Sequence, residues 1–140
     1  MGMAIAMALL AGCAAPRANT PSGANEVTIK APMRLVRDRF SSAIVDKGYT
    51  ITRTDDLMIE ARKDAGMGAA ILLATPADPS AVKIARANLI ETDSGVRIIL
   101  RVFLVAGGRD QGEVTGGRSQ TQDWLDELKQ KIEAEANQPK

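Results

Sequence analysis

The chain has 140 residues, with 18 Lys and Arg against 17 Asp and Glu for a formal net charge of +1, no histidine, one cysteine and 3% aromatic residues. That composition offers neither the electrostatic footprint nor the stacking platforms of a nucleic-acid binder, and a lone cysteine excludes an intramolecular disulfide. Without histidine the commonest general base at neutral pH and the commonest metal ligand are missing, so the sequence reads as non-catalytic, with no cofactor and no metal.

From Met1 to Gly12 runs a charge-free stretch of small and apolar residues that closes on Leu10-Ala11-Gly12-Cys13. It is shorter than the about 20 apolar residues a membrane span needs, and Pro16, Arg17 and Asn19 follow it. A core helix fits no better, because Gly12 and Pro16 flank the cysteine and no polar face accompanies the apolar residues. The sequence Leu-Ala-Gly-Cys resembles the lipobox of bacterial lipoproteins. That resemblance implies cleavage between Gly12 and Cys13, acylation of Cys13, and a lipid-anchored protein facing the periplasm. The same resemblance implies retention in the inner membrane where Asp follows the cysteine, so Ala14 implies the outer membrane. The usual Lys or Arg before the run is absent, which points to a start upstream of Met1 or a shortened leader. Ala14 to Asn25, with Pro16, Pro21, Ser22 and Gly23, reads as a flexible tether. The expected organisation is a signal peptide over 1–12, lipidated cysteine and tether over 13–25, one domain over 26–136 and a tail over 137–140.

Glu26 to Lys30, with Val27 and Ile29 on one side, predicts a short strand, and Pro32 suits the first turn of the helix that follows. Met33, Val36, Phe40, Ala43 and Ile44 recur at helical spacing between Met33 and Lys47, with Arg34, Asp38, Ser42 and Asp46 opposite and Gly48 as the stop. Period-two alternation over Tyr49–Arg53 and Leu57–Lys63, about Thr54-Asp55-Asp56, predicts a hairpin that turns Leu57, Ile59 and Ala61 inward. A second hairpin, Val82–Glu91 and Val96–Val105, turns at Thr92-Asp93-Ser94-Gly95, where glycine takes a positive φ. Val96, Ile98, Leu100, Val102 and Leu104 share one of its faces, and Arg97 and Arg101 the other.

The glycine-rich stretch from Gly107 to Gly117 predicts a loop before the last helix, at about Thr121–Ala136. That helix carries a stripe of Trp124, Leu125, Leu128 and Ile132, a favourable Glu127–Lys131 spacing, and in Ser119 and Gln122 the spacing of a capping box. The order β-α-β-β-β-β-α predicts an α+β fold, an antiparallel sheet with two helices packed on one face. It is similar to the TATA-binding-protein-like, helix-grip folds, which include nucleic-acid binders, ligand carriers and envelope scaffolds.

Gly112-Glu113-Val114-Thr115-Gly116-Gly117-Arg118-Ser119 has the spacing of a phosphate loop. Arg118 stands where the lysine belongs, and no second apolar strand ending in a magnesium-binding Asp follows. The stretch therefore reads as an ordinary loop. Asp55-Asp56, Glu91 and Asp93 fall at hairpin turns, where acidic residues serve turn geometry. Lys30, Arg34, Arg37, Arg39 and Lys47 make the first helix basic. That face is either simply solvated or meets anionic headgroups, through Arg34, Arg37 and Arg39, or an acidic partner. Asp64 to Ser80 exceeds the usual connection length. Its apolar residues Ile71, Leu72 and Leu73 either plug a core edge or form an exposed lip.

The resemblance to small accessory lipoproteins of envelope assembly machines implies a non-catalytic, lipid-anchored periplasmic interaction or scaffold module. It would meet an envelope protein partner through the 66–74 loop and an exposed sheet edge. The alternative is a carrier or sensor of an apolar small molecule or lipid held between the sheet and the C-terminal helix, with Trp124 and Leu128 as its wall.

Overall fold

The computed structural model of the chain describes residues 20–64, 81–107, 109–114 and 118–139. In chain order they form β1 (Asn25–Ile29), α1 (Met33–Asp46), β2 (Thr50–Thr54), β3 (Met58–Asp64), β4 (Val82–Thr92), β5 (Gly95–Ala106), β6 (Arg109–Glu113) and α2 (Arg118–Ala136). The strands build one antiparallel sheet in the order β1-β5-β4-β3-β2, with β6 also beside β5. This is the expected α+β class, with one strand more than the expected order contained.

Alternation along each strand decides which face is covered. Val27 and Ile29, Ile59 and Ala61, Ala85, Ala87 and Leu89, and Val96, Ile98 and Leu100 all point into one cluster. Val36, Phe40 and Ile44 of α1 and Leu125, Leu128 and Ile132 of α2 complete it, so both helices lie on the same side of the sheet. The Phe40 and Trp124 rings meet between the helices, tilted by 58° at 5.9 Å between centroids. The stop at Gly48 is as expected, with φ of +89°.

The extra strand has a geometric origin. β4 pairs with the whole of one side of β5, from Val82↔Val105 to Thr92↔Gly95. On the other side β1 reaches only from Val96 to Leu100. The remaining edge of β5 is taken by β6, through Phe103↔Glu113, Val105↔Asp110 and Ala106↔Arg109. Gly107, with φ of +60°, makes the reversal, and Gly112, with φ of +95°, sits at the irregular end of the pairing. Gly112 and Glu113 thus belong to an antiparallel strand, whereas a phosphate loop follows a parallel strand into a helix.

Three local expectations are corrected. Leu57 is 64% exposed, because it lies in the turn before β3, where the Asp55 carboxylate accepts the Leu57 and Met58 N–H groups at 3.0 and 2.9 Å. Helix α2 begins at Arg118, so Ser119 is inside its first turn and cannot be its N-cap. The ordered body also begins before residue 26: Ala24 and Asn25 are buried, Asn25 opens β1, and the Thr20 hydroxyl donates to the Ala24 carbonyl.

Candidate functional site

The edge strands β1 and β2 are treated differently. At β1, the Gln122 side chain from α2 takes both outward backbone groups of Glu26. Its Oε1 accepts from the Glu26 N–H at 3.0 Å, and its Nε2 donates to the Glu26 carbonyl at 2.8 Å. Eleven residues on, the Glu133 carboxylate accepts the Lys30 N–H at 2.9 Å. Eleven helical residues rise about 17 Å and four strand residues about 13 Å, so α2 runs along β1 and closes that edge with side chains. Such cover removes the template that a free edge presents to another strand. The sequence shows a Gln at the right spacing for a cap, but its target is a strand almost a hundred positions away.

At the opposite end, β2 pairs only with β3 among the described residues. Thr50, Thr52, Arg53 and Thr54 are exposed, with only Ile51 half-buried. The register shifts between Ile51 and Arg53, a bulge that twists the strand and, together with the Arg53 charge, disfavours indiscriminate edge-to-edge pairing.

β1 is further fixed by a partly buried ion pair. Arg97 of β5 donates through Nε and Nη2 to the Glu26 carboxylate at 3.2 and 3.1 Å, and the Ser22 N–H donates to it at 3.0 Å. Burial pushes the Glu26 carboxyl up, but the Arg97 hydrogen bond, the Ser22 bonds and the Arg97 charge outweigh it, leaving the group below its ordinary 4.5. A carboxyl held low in the fold contributes stability that is present above the unfolded pKa and is lost as pH falls through the folded one. Urea unfolding of Glu26→Gln is therefore expected to lose about 1 kcal/mol at pH 7 and to lose less than the wild type between pH 5 and pH 3. An unchanged acid limb contradicts this role. Glu135 is also held low, by its hydrogen bond from Arg39, but that pair is exposed and solvent-screened.

The three arginines expected at a headgroup surface do not share one patch. Arg34 and Arg37 border the same hollow, beside Asp56, Leu57 and Glu91. Arg39, two residues beyond Arg37 and so about 200° further round the helix, turns to α2 and pairs with Glu135. Arg37 is itself occupied, donating to the Asp56 carbonyl.

Trp124 borders two depressions, and Leu128 only one of them. The first, of about 450 Å³, is a groove between α1 and α2 where Trp124 and Leu128 lie among Arg39, Lys47 and Lys131 and the equal number of acids Asp46, Glu127 and Glu135. The second, of about 330 Å³, lies between the sheet and the helices, where Trp124 and Tyr49 face Ala85, Leu100 and Val102. Lys47, Lys63 and Lys83 line it and, among the described residues, no carboxylate does. Of the two residues expected as a ligand wall, Trp124 borders this second cleft, whereas Leu128 is buried in the core and does not reach it. The lysines were legible in principle, because the inward alternation of Ile59 and Ala61 reaches Lys63, and that of Ala85 and Ala87 reaches back to Lys83.

Gly12, Cys13, Ile71, Leu72 and Leu73 lie outside the described residues. Among the described residues, no three His, Cys, Asp or Glu side chains converge as metal ligands, and no helix is long and apolar enough to cross a membrane. No protein-family model matches the chain, and no curated protein is significantly similar to it.

Proposed function

We propose that this protein is a non-catalytic interaction module of the bacterial envelope, tethered to the outer membrane by an acylated Cys13 and facing the periplasm. In this reading the folded body presents the β2 edge to an extended segment of an envelope protein, which adds to the sheet by main-chain hydrogen bonds. The observation that carries the reading is the asymmetry of the sheet: Gln122 and Glu133 close the β1 edge, while β2 has no strand on its outer side among the described residues. Strand addition needs no special chemistry, which agrees with a chain that contains no histidine.

Photo-cross-linking in cells tests it, with the reactive group at Thr50 on β2 and, as control, at the exposed Gln130 on α2. The expected result is one discrete adduct with an envelope protein from Thr50 and none from Gln130. Equal labelling from both sites, or none from Thr50, contradicts the docking edge.

A further inference from the structure

We infer that the second cleft binds a single-chain amphiphile with an anionic head, a carboxylate or a phosphate, whose chain lies on the apolar floor. This is independent of partner docking at β2. Four features of the cleft converge on that chemistry.

The first is its charge. Lys63 and Lys83 stand directly opposite each other on β3 and β4, on the helix-covered face. Like charges opposite one another across a ladder are destabilising, and among the described residues neither is paired with a carboxylate. Folding alone gives no reason for this pair, whereas a bound anion between the two ammonium groups removes the repulsion and gains both interactions. The neighbouring groove between the helices shows the contrast, since its bases are matched by acids.

The second is that two of the three lysines are held in position. Lys63 Nζ donates to the Lys47 carbonyl at 2.7 Å and lies 5.6 Å from the centre of the Tyr49 ring. Lys47 Nζ lies 5.9 Å from the Trp124 ring centre. Cationic heads ordered over aromatic faces at the rim lose less freedom when an anion binds.

Third, Gln120 and Thr121, in the first turn of α2, line the same cleft. The positive end of the α2 dipole therefore faces the side where the head would sit. Fourth, the floor of Ala85, Leu100 and Val102 is apolar, and about 330 Å³ lies within the range of small-molecule sites. A free phosphate would leave that floor bare, and a neutral lipid would leave the lysines unpaired.

Trp124 is the only tryptophan of the chain and forms part of the wall, so its emission reports occupancy directly. The measurement is a fluorescence titration of the full chain carrying Cys13→Ser, so that no acyl group of its own competes. Laurate and lysophosphatidate are added below their micelle concentrations, with monolaurin and inorganic phosphate as controls. A saturable response to laurate points to free fatty acids and one to lysophosphatidate to phospholipid products. Either supports the site, provided that monolaurin binds at least about tenfold more weakly and phosphate gives no response. The double variant K63Q/K83Q is expected to bind about tenfold more weakly, in keeping with charged hydrogen bonds, and to melt no lower than the parent because it removes a like-charge pair. Equal affinity of K63Q/K83Q and parent, equal affinity for monolaurin, or no saturable change with either anion overturns the inference.

Discussion

Gly95→Ala is expected to lower the melting temperature by about 10 °C or more, a loss of about 3 kcal/mol at some 4 °C per kcal/mol for a domain of this size. A Cβ on Gly95 would lie 2.2 Å from the Ile29 carbonyl oxygen and 2.8 Å from its carbon, with Lys30 Cα at 3.1 Å. These are backbone atoms, so no side-chain rotation relieves the overlap. The end of β1 must move away from β5 at the Ile29↔Val96 pair. The backbone adds a second cost, because φ at Gly95 is +128°. Strain of that kind costs about 1–3 kcal/mol, and forced overpacking a similar amount. Gly112→Ala separates the two contributions: its φ is +95°, yet among the described residues nothing lies within 4 Å of the added Cβ. It is expected to cost about 1 kcal/mol, the conformational part alone. Thermal melts of the two variants compare them directly, and equal losses contradict the contact at Ile29.

Phe40→Ala is expected to cost about 3–5 kcal/mol, the range for emptying a buried aromatic site. Phe40 is 1% exposed and sits in the α1 stripe between Val36 and Ile44, against the Trp124 ring of α2. It therefore joins the two helices to each other as well as to the sheet, and few neighbours can collapse into the space it leaves. Against a total stability of about 5–15 kcal/mol, that is a large fraction of the fold. Urea unfolding followed by Trp124 emission measures it. The variant is expected to unfold at much lower urea and to show red-shifted native emission, because the indole loses its cover. A loss below about 1 kcal/mol contradicts the packing described here.

How far this architecture can be read from the residues depends on whether the cause is local. Helix α1 and both long hairpins announce themselves by period, since Val36, Phe40 and Ile44 recur at helical spacing and Val96, Ile98 and Leu100 alternate. Strand β6 does not: Arg109, Asp110 and Gly112 have little strand preference, and the segment is extended because the far half of β5 has an edge that β1 is too short to cover. The same limit applies to Gln122. Its spacing from Ser119 suggests a local cap, but the bonds it makes depend on α2 lying along β1, a tertiary relation.

Site residues divide in the same way. Trp124 was visible as an aromatic on a helix stripe, and the cleft it borders needed the sheet. Arg34, Arg37 and Arg39 were visible as charge, but helical phase and the Glu135 partner separate Arg39 from the other two. Lys63 and Lys83 were hidden because their meaning lies in the register that sets them opposite each other, some twenty positions apart in the chain.

The most direct measurement of an anchored, edge-presenting module is the Thr50 cross-link repeated in cells that carry Cys13→Ser. Tethering raises the effective concentration of the domain near its partner, so the adduct is expected to be strong with Cys13 present and to fall at least about tenfold without it, while the folded protein is still made. An adduct of undiminished yield in the Cys13→Ser strain contradicts the account.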